Sequence, residues 1–371
     1  MIILWLSCAS PEVETFPFEE VHEQGAGRYL DQFIPDEVFD LSEDVEAHRF
    51  IASDTGPICM NGSDFHTMVR DQQSDNLLFF LQGGGLCSSE LCLSVPSGSA
   101  WFPDLDIFAS GFDNPVNDWN QIYVPYCDGS LFSSDAQVDL DADGVVDRYH
   151  HGLHNLSAAL DVAKTEYPNP KKVLIAGSSG GGYGTLAATM LARWTWPDSA
   201  IYVFNDSGIG LGKEGNPYFL TSLIDEFNAN SILPNSQEDL LSAGHLTPLI
   251  AWQLQQDLNL KVAAFSFLRD YVISQMYLET EYEAFETQIR TQTQRIHQAY
   301  PNRYQYFLKS GAQHTVLLGD PSGFVDSDSA FADLLTQMLA SMYTTEIEGE
   351  STADWLSYFL NDSPDWTSYA E

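Results

Sequence analysis

The segment at residues 171–185 constrains the fold of this chain more than any other, because it combines a buried strand, a tight turn and the start of a helix. It reads K-K-V-L-I-A-G-S-S-G-G-G-Y-G-T, so an apolar run ends abruptly in glycines. Its centre fits the pattern G-x-S-x-G, in which a serine is exposed on a sharp strand-to-helix turn. Ser179 is therefore a candidate nucleophile, and residues 186–196 are predicted to form the helix that follows. The alternative is a glycine-rich connection in a sheet without catalytic function.

The remainder of the chain alternates between short apolar runs and longer helical stretches, a pattern typical of a largely parallel sheet flanked by helices. We predict strands at residues 76–81, 121–126, 173–176, 200–204, 261–267 and 303–308. We predict further helices at residues 152–165 and 279–300, and a closing helix at residues 329–343. These elements indicate a single α/β-hydrolase domain over residues 46–371, with the proline-interrupted residues 215–258 as a helical, cap-like insertion.

Polar residues that follow the predicted strands supply the partners a serine nucleophile needs. A serine hydroxyl requires a base to take its proton, and the base requires an acid to orient it. His314 is the best base, because it lies in a loop just past the last predicted strand. Asp270 is the preferred acid, since the chain order serine, acid, histidine is that of α/β-hydrolases. Asp206, at the end of another predicted strand, is the rival acid.

Three consecutive glycines at residues 83–85 directly follow the predicted strand at residues 76–81. The backbone N–H groups of glycines can closely approach a developing negative oxygen, because no side chain obstructs the approach. Hydrolases of this type place such donors in a loop upstream of the elbow. We therefore predict an oxyanion loop here, and an ordinary glycine turn is the alternative.

The N-terminal residues and the cysteines indicate an exported protein. Residues 1–8 resemble the end of an export signal, and Cys8 stands where a bacterial lipoprotein would carry a lipid anchor. No stretch reaches the roughly 18 apolar residues of a transmembrane helix. Residues 9–45 are predicted to be an acidic tether. Since an exported chain meets an oxidising compartment, we favour the disulfides Cys59–Cys127 and Cys87–Cys92 over four buried thiols.

The net charge of the chain disfavours several classes of binding partner. Its 15 basic and 53 acidic residues give a net charge of −38. Such a surface disfavours nucleic acid, anionic membranes and, at low salt, polyanionic substrates. We therefore expect an acidic, solvated surface suited to a saline habitat, and the export features above predict a secreted, periplasmic or lipid-anchored protein of bacterial origin.

A second motif resembles a calcium-binding loop. Residues 139–147 place acidic residues at the first, third, fifth and ninth positions and glycine at the sixth. The twelfth position is His150 instead of the usual glutamate. We predict a structural calcium site without a catalytic role, and a turn that binds nothing is the alternative. The candidate ligands are Asp139, Asp141, Asp143, Val145 and Asp147.

Several short motifs, taken in order, resemble the family of the pectin acetylesterases and the related carboxylesterase Notum. Residues 59–63 look like its C-x-D-G-S motif, and residues 82–87 look like E-G-G-G-W-C. Residues 118–120 and 126–130 are similar to its N-W-N and Y-C-D-G-S motifs. Residues 177–181 and 205–208 are similar to its G-C-S-A-G-G elbow and its S-D-A-G motif. The chain departs from the family pattern at Gln82, where the family has glutamate, and at Leu86, where it has an aromatic residue.

The resemblance implies a serine esterase that removes O-linked acyl groups, most often acetyl, from an acylated glycan or a small ester, without a catalytic metal. It implies Ser179 as nucleophile with Asp270 and His314 as its partners. The implied oxyanion donors are the N–H groups of Gly84, Gly85 and Gly180. Two alternatives stay open: a polyester or lipid esterase with the same triad, and an inactive hydrolase fold that acts as a calcium-dependent binding protein at the cell surface.

Overall fold

The computed structural model describes residues 16–111, 113–236, 240–318 and 338–371. The predicted export signal at residues 1–8, which includes Cys8, lies outside these ranges. Most of the closing helix predicted at residues 329–343 also lies outside them.

Strands and helices alternate along the described chain. In chain order the strands are β1 (Glu37–Asp40), β2 (Val45–Phe50), β3 (Phe65–Arg70), β4 (Asn76–Leu81), β5 (Gly85–Cys87), β6 (Cys92–Ser94), β7 (Asn120–Val124), β8 (Ala136–Val138), β9 (Arg148–His150), β10 (Lys172–Ser178), β11 (Ala200–Asp206), β12 (Lys261–Phe267), β13 (Tyr304–Lys309), β14 (Glu346–Ile347), β15 (Glu350–Ser351) and β16 (Tyr369–Ala370). The α-helices that lie wholly within the described residues are α1 (Glu19–Glu23), α2 (Gly152–Glu166), α3 (Gly180–Thr195), α4 (Phe219–Glu226), α5 (Thr247–Gln256), α6 (Tyr282–Ala299) and α7 (Thr352–Leu360). A π-helical segment spans Val272–Tyr277.

Ten of the strands form one large sheet in the order β1-β2-β3-β7-β4-β10-β11-β12-β13-β16. The pairs from β7 to β16 are all parallel, whereas β1, β2, β3 and β7 pair antiparallel. Apolar residues cover both faces of the central strands: Leu77 and Phe79 belong to one core, and Leu78 and Phe80 to the other. A strand buried on both faces reads as a continuous apolar run. The structure is the predicted α/β-hydrolase fold.

The predicted strands agree with the observed ones to within two residues at each end. The helix after the elbow differs more, because α3 begins at Gly180 and not at residue 186. Glycine has a low intrinsic helix propensity, so these positions did not read as helical. A Cβ on Gly181 would collide with the carbonyl oxygen of Leu81 on β4. The close packing of helix against strand therefore requires the glycines inside the first turn of α3.

The acidic tether expected at residues 9–45 is wrong from residue 16 onward. This segment contains α1, a short 3₁₀ helix at Ala26–Tyr29 and β1, and it packs on the domain. Phe18, Val21 and Tyr29 are buried in the larger core, so their apolar contacts outweigh the acidic composition of the segment. Strands β2 and β3, which no apolar run had indicated, extend the sheet beyond β7.

Only part of the predicted insertion at residues 215–258 lies beside the elbow. Phe219, Leu220 and Leu223, from α4, line a cavity that Ser179 also lines. Helix α5 instead follows β11 and precedes β12 in the chain, as a crossover helix. Its residues Leu249 and Leu254 are fully buried in the core. Of the three prolines that suggested a cap, Pro248 falls in the first turn of α5, a position that tolerates proline, and Pro217 and Pro234 lie outside the helices.

Two disulfides link loops of the sheet's carboxyl edge. Cys59 is bonded to Cys127, which follows β7, and Cys87 is bonded to Cys92 across the β5–β6 hairpin. This is the pairing that the sequence favoured. Within the described residues, no helix is both long enough and apolar enough to cross a membrane.

Candidate active site

Ser179 lies at the corner between β10 and α3. Its backbone has φ 54° and ψ −119°, a combination that is strained for a residue with a side chain. The corner is held in place because the N–H of Ser179 donates to the carbonyl oxygen of Asp206 on the neighbouring strand at 2.8 Å. This is the geometry that G-x-S-x-G predicts: a serine at the apex of a tight turn, preceding the N-terminus of a helix.

The glycine loop after β4 lies against this corner. A Cβ on Gly83 would stand 2.6 Å from the carbonyl oxygen of Ser178, so no larger residue fits there. A Cβ on Gly180 would stand 3.6 Å from the nitrogen of Gly84 and 3.1 Å from the oxygen of Gly85. The three predicted oxyanion donors, Gly84, Gly85 and Gly180, therefore form one patch of backbone beside Ser179.

A tyrosine that the sequence did not single out orients this patch. The hydroxyl of Tyr126 donates to the carbonyl oxygen of Gly85 at 2.8 Å and accepts from the N–H of Leu131 at 2.9 Å. Its ring packs directly on Gly84. Burial raises the pKa of Tyr126 well above its ordinary value, so the hydroxyl remains a neutral donor. The signal was present in the sequence, because Tyr126 begins the motif Y-C-D-G-S.

His314 and Asp270 meet in the loops after β13 and β12. The Nδ1 atom of His314 lies 2.7 Å from Oδ2 of Asp270, and both side chains are buried. The other carboxylate oxygen of Asp270 accepts from the N–H of Ile273 at 3.0 Å. The two loops are also joined through their backbones, since Arg269 and Tyr271 donate to Gly311 and Ala312. The carboxylate is thus fixed against the ring.

The second ring nitrogen of His314 is buried and has no hydrogen-bond partner within the described residues. Its hydrogen bond to the hydroxyl of Ser179 is therefore not formed in this structure. Such bonds are often long before a substrate binds. An unpartnered buried nitrogen opposite the one held by Asp270 is the atom that a proton-accepting histidine requires.

The rival acid, Asp206, forms no hydrogen bond or ion pair with the ring of His314 in the described structure. It is fully buried at the end of β11, and its Oδ2 accepts from the hydroxyl of Ser178 at 2.7 Å. The same oxygen accepts from the N–H groups of Val316 and Leu317, each at 3.0 Å. Burial raises the pKa of Asp206 to about 6, against the opposing effect of these hydrogen bonds.

An apolar cavity of about 40 Å³ opens beside Ser179. A second apolar cavity of similar volume lies next to it, under α4 and the 3₁₀ helix at Ala229–Ile232. Four side chains line both: Leu131, Tyr183, Leu220 and Leu223. None of these had been predicted as a site residue, because an apolar side chain in a loop or helix carries no local sign of the cavity it will face.

The predicted calcium loop connects β8 and β9 on the surface. One carboxylate oxygen from each of Asp139, Asp141 and Asp147 lies within 4.8 Å of the others. Asp143 is not part of that group and accepts from the N–H of Val145 at 2.8 Å. The loop therefore brings together three of its four candidate carboxylate ligands. His150 is buried, and its Nδ1 lies 2.7 Å from the carbonyl oxygen of Asp128, away from the loop.

The strained serine at a strand-to-helix corner, in a mostly parallel sheet covered on both faces, makes this chain an α/β-hydrolase. Residues 43–240 match the sequence model of the family described as Pectinacetylesterase. Because the match covers more than half of the 371 residues, the chain belongs to that family and is by class a carboxylic ester hydrolase. The matched region includes Ser179 and the glycine loop and ends before Asp270 and His314. No curated protein matches the chain.

Proposed function

We propose that this protein is a serine esterase that hydrolyses O-acyl esters, acetyl esters above all, through an acyl-enzyme. The hydroxyl oxygen of Ser179 attacks the ester carbonyl while His314 takes its proton on Nε2. The N–H groups of Gly84, Gly85 and Gly180 stabilise the oxyanion. The proton passes to the leaving alcohol, and water then releases the acid and restores the serine. Asp270 holds the ring of His314 throughout.

The observation that carries this proposal is the buried hydrogen bond of 2.7 Å between Asp270 and His314. It joins residues 44 positions apart in the chain. It also leaves one nitrogen of the ring without a partner, in a protein that places a strained serine at an elbow. An acid, a base and a nucleophile in the chain order of the α/β-hydrolases support the assignment together.

The size of the cavity beside Ser179 supports a small acyl group. The cavity has a volume of only about 40 Å³ and is lined mainly by apolar side chains, as a site for a small acyl group such as acetyl would be. The net charge of −38 favours a neutral acylated glycan or a small ester over a polyanionic one.

Replacing the serine tests the proposal. We expect Ser179→Ala to abolish hydrolysis of p-nitrophenyl acetate and covalent labelling by a fluorophosphonate, with an unchanged melting temperature. Ser42→Ala, which removes a hydroxyl on an exposed turn, is the matched control and should retain full activity. A Ser179→Ala variant that hydrolyses the ester at the rate of the parent would refute the assignment.

The second cavity favours one alternative, an esterase for longer acyl chains such as those of lipids or polyesters. A chain that fills the first cavity would continue past Leu131 and Leu223 into the second. In that case octanoate esters should be hydrolysed at least as well as acetate esters. Ala229 lines only the second cavity, so Ala229→Leu should lower the ratio of octanoate to acetate activity. A steep fall in activity from acetate to butyrate in the parent would exclude this alternative.

The proposal also includes a structural calcium site and export from the cytoplasm. The converging carboxylates of Asp139, Asp141 and Asp147 support a structural calcium ion on the β8–β9 loop, outside the reaction. The two disulfides support export to an oxidising compartment. Lipidation of Cys8 is part of the same hypothesis, and mass spectrometry of the protein from its native membrane fraction tests it.

A further inference from the structure

We infer that Asp206 is a positioning residue that holds the nucleophile corner and the histidine loop at a fixed separation. It would act through its neighbours and not touch the substrate. The inference rests on the proposed function, because it assigns roles to Ser179 and His314.

One side of Asp206 holds the corner. Its carbonyl oxygen accepts from the N–H of Ser179, and its carboxylate accepts from the hydroxyl of Ser178. Strand register explains the contact, since Asp206 pairs with Ser178 in the parallel ladder of β10 and β11. The residue before the nucleophile is therefore tied by its side chain, and the nucleophile itself by its backbone.

The other side holds the loop that carries His314. The same carboxylate oxygen accepts from the N–H groups of Val316 and Leu317, two and three residues after the histidine. Next to Asp206, the hydroxyl of Ser207 donates to the carbonyl oxygen of His314 itself. The histidine loop is thus held at the carbonyl oxygen of His314 and at the N–H groups two and three residues later. The residues that hold it, Asp206 and Ser207, are adjacent at the end of β11.

Within the described residues, the three donors that bind the carboxylate of Asp206 have no second acceptor. Oδ2 of Asp206 accepts three hydrogen bonds, while Oδ1 is buried without a partner. Loss of the side chain would leave two buried N–H groups and one hydroxyl unsatisfied, and the loop would have to move to satisfy them. A displacement of about 1 Å at reacting groups can cost about a hundredfold in rate. Asp206 is therefore placed to affect the rate, whereas Asp270 contacts the reacting base.

Two substitutions at this position separate positioning from acid function. In Asp206→Asn the amide oxygen can accept the same three hydrogen bonds, so we expect kcat within about tenfold of the parent. Asp206→Leu has a similar volume and no acceptor, so we expect kcat to fall by about a hundredfold with KM for p-nitrophenyl acetate nearly unchanged. Labelling by a fluorophosphonate should slow by the same factor.

A gentler variant covers the case in which Asp206→Leu does not fold. Ser178→Ala with Ser207→Ala removes only two hydroxyls of the same clamp, and it too should lower kcat without raising KM. An unchanged kcat in a folded Asp206→Leu protein or in the double variant would overturn the inference. So would an Asp206→Asn protein as inactive as Asp270→Asn, because Asp206 would then act as the acid.

The failure of this inference is distinct from the failure of the proposed function. If the parent neither hydrolyses aryl esters nor reacts with the fluorophosphonate, the esterase assignment fails. If the parent does both and Asp206→Leu retains its kcat, only the positioning role fails.

Discussion

A single phenol hydroxyl connects the glycine loop to the apolar cavity beside Ser179. Tyr126 donates to Gly85 in the glycine loop and accepts from Leu131 in the wall of the apolar cavity. Gln82 holds the backbone of Tyr126 in place, because its side-chain oxygen accepts from the N–H of Tyr126 at 2.9 Å. The shape of the glycine loop and the shape of the cavity beside Ser179 therefore depend on the same residue.

We expect Tyr126→Phe to lower kcat/KM for p-nitrophenyl acetate by about tenfold and the free energy of unfolding by about 1 kcal/mol, since it breaks two buried hydrogen bonds. Steady-state kinetics and urea unfolding measure the two effects. Tyr123→Phe is the matched control, because Tyr123 is equally buried and its hydroxyl has no partner within the described residues. Equal losses in the two variants would contradict the role of the hydroxyl.

A buried histidine on β2 predicts a dependence of stability on pH. Both ring nitrogens of His48 lack hydrogen-bond partners within the described residues, and Glu46 lies 3.9 Å away. Burial lowers the pKa of His48. The unfolded state then binds a proton more readily, so the stability due to His48 is complete above about pH 6.5 and is lost as the pH falls below it.

We therefore expect His48→Leu to lose less unfolding free energy than the parent between pH 7.5 and pH 5. Urea unfolding at both pH values measures the difference. Parallel changes in the two proteins would show that His48 does not contribute to the pH dependence.

Among the elements, the β8–β9 hairpin is the one whose stability should depend on an ion. Its loop brings three carboxylates within 4.8 Å of one another, and their mutual repulsion is relieved by a bound cation. Ligand binding to the folded state stabilises it by about 2.7 kcal/mol when the free ligand is at 100 times Kd.

Addition of calcium should accordingly raise the melting temperature by several degrees, and a chelator should reverse the change. The double substitution Asp139→Asn with Asp141→Asn should remove the response while leaving ester hydrolysis intact. A parent protein with the same melting temperature in calcium and in chelator would mean that the loop is an empty turn.

The elements that the sequence predicted best are those whose signals are local. The six predicted strands are mostly apolar, because the central strands of a parallel sheet are buried on both faces. The start of α3 was missed by six residues, since only the approach of β4 explains why glycines are helical there. Strands β1 and β2 at the sheet edge were missed because β1 has no buried residue and both strands contain charged residues, so neither reads as an apolar run.

For the whole molecule, charge should govern which esters can be used. A chain of net charge −38 repels a polyanion over a Debye length of about 30 Å at 0.01 M salt and about 10 Å at 0.1 M. We expect KM for acetylated polygalacturonate to fall several-fold as NaCl rises through this range. KM for the uncharged p-nitrophenyl acetate should stay constant and serves as the control. A polyanionic substrate with no salt dependence would contradict the electrostatic argument.

The sequence by itself determined the fold class, the elbow around Ser179, the glycine loop and the strand ends that carry Asp270 and His314, because apolar runs, glycines and chain order are local features. Only the tertiary structure decided that Asp270 meets the histidine ring while Asp206 accepts hydrogen bonds from the serine corner and from the loop after His314. That choice depends on the register of strands far apart in the chain, and a shift of one residue reverses the face to which a side chain points. The same reason applies to the buried residues of segment 16–45 and to the cavities beside Ser179, which exist only where several distant elements meet.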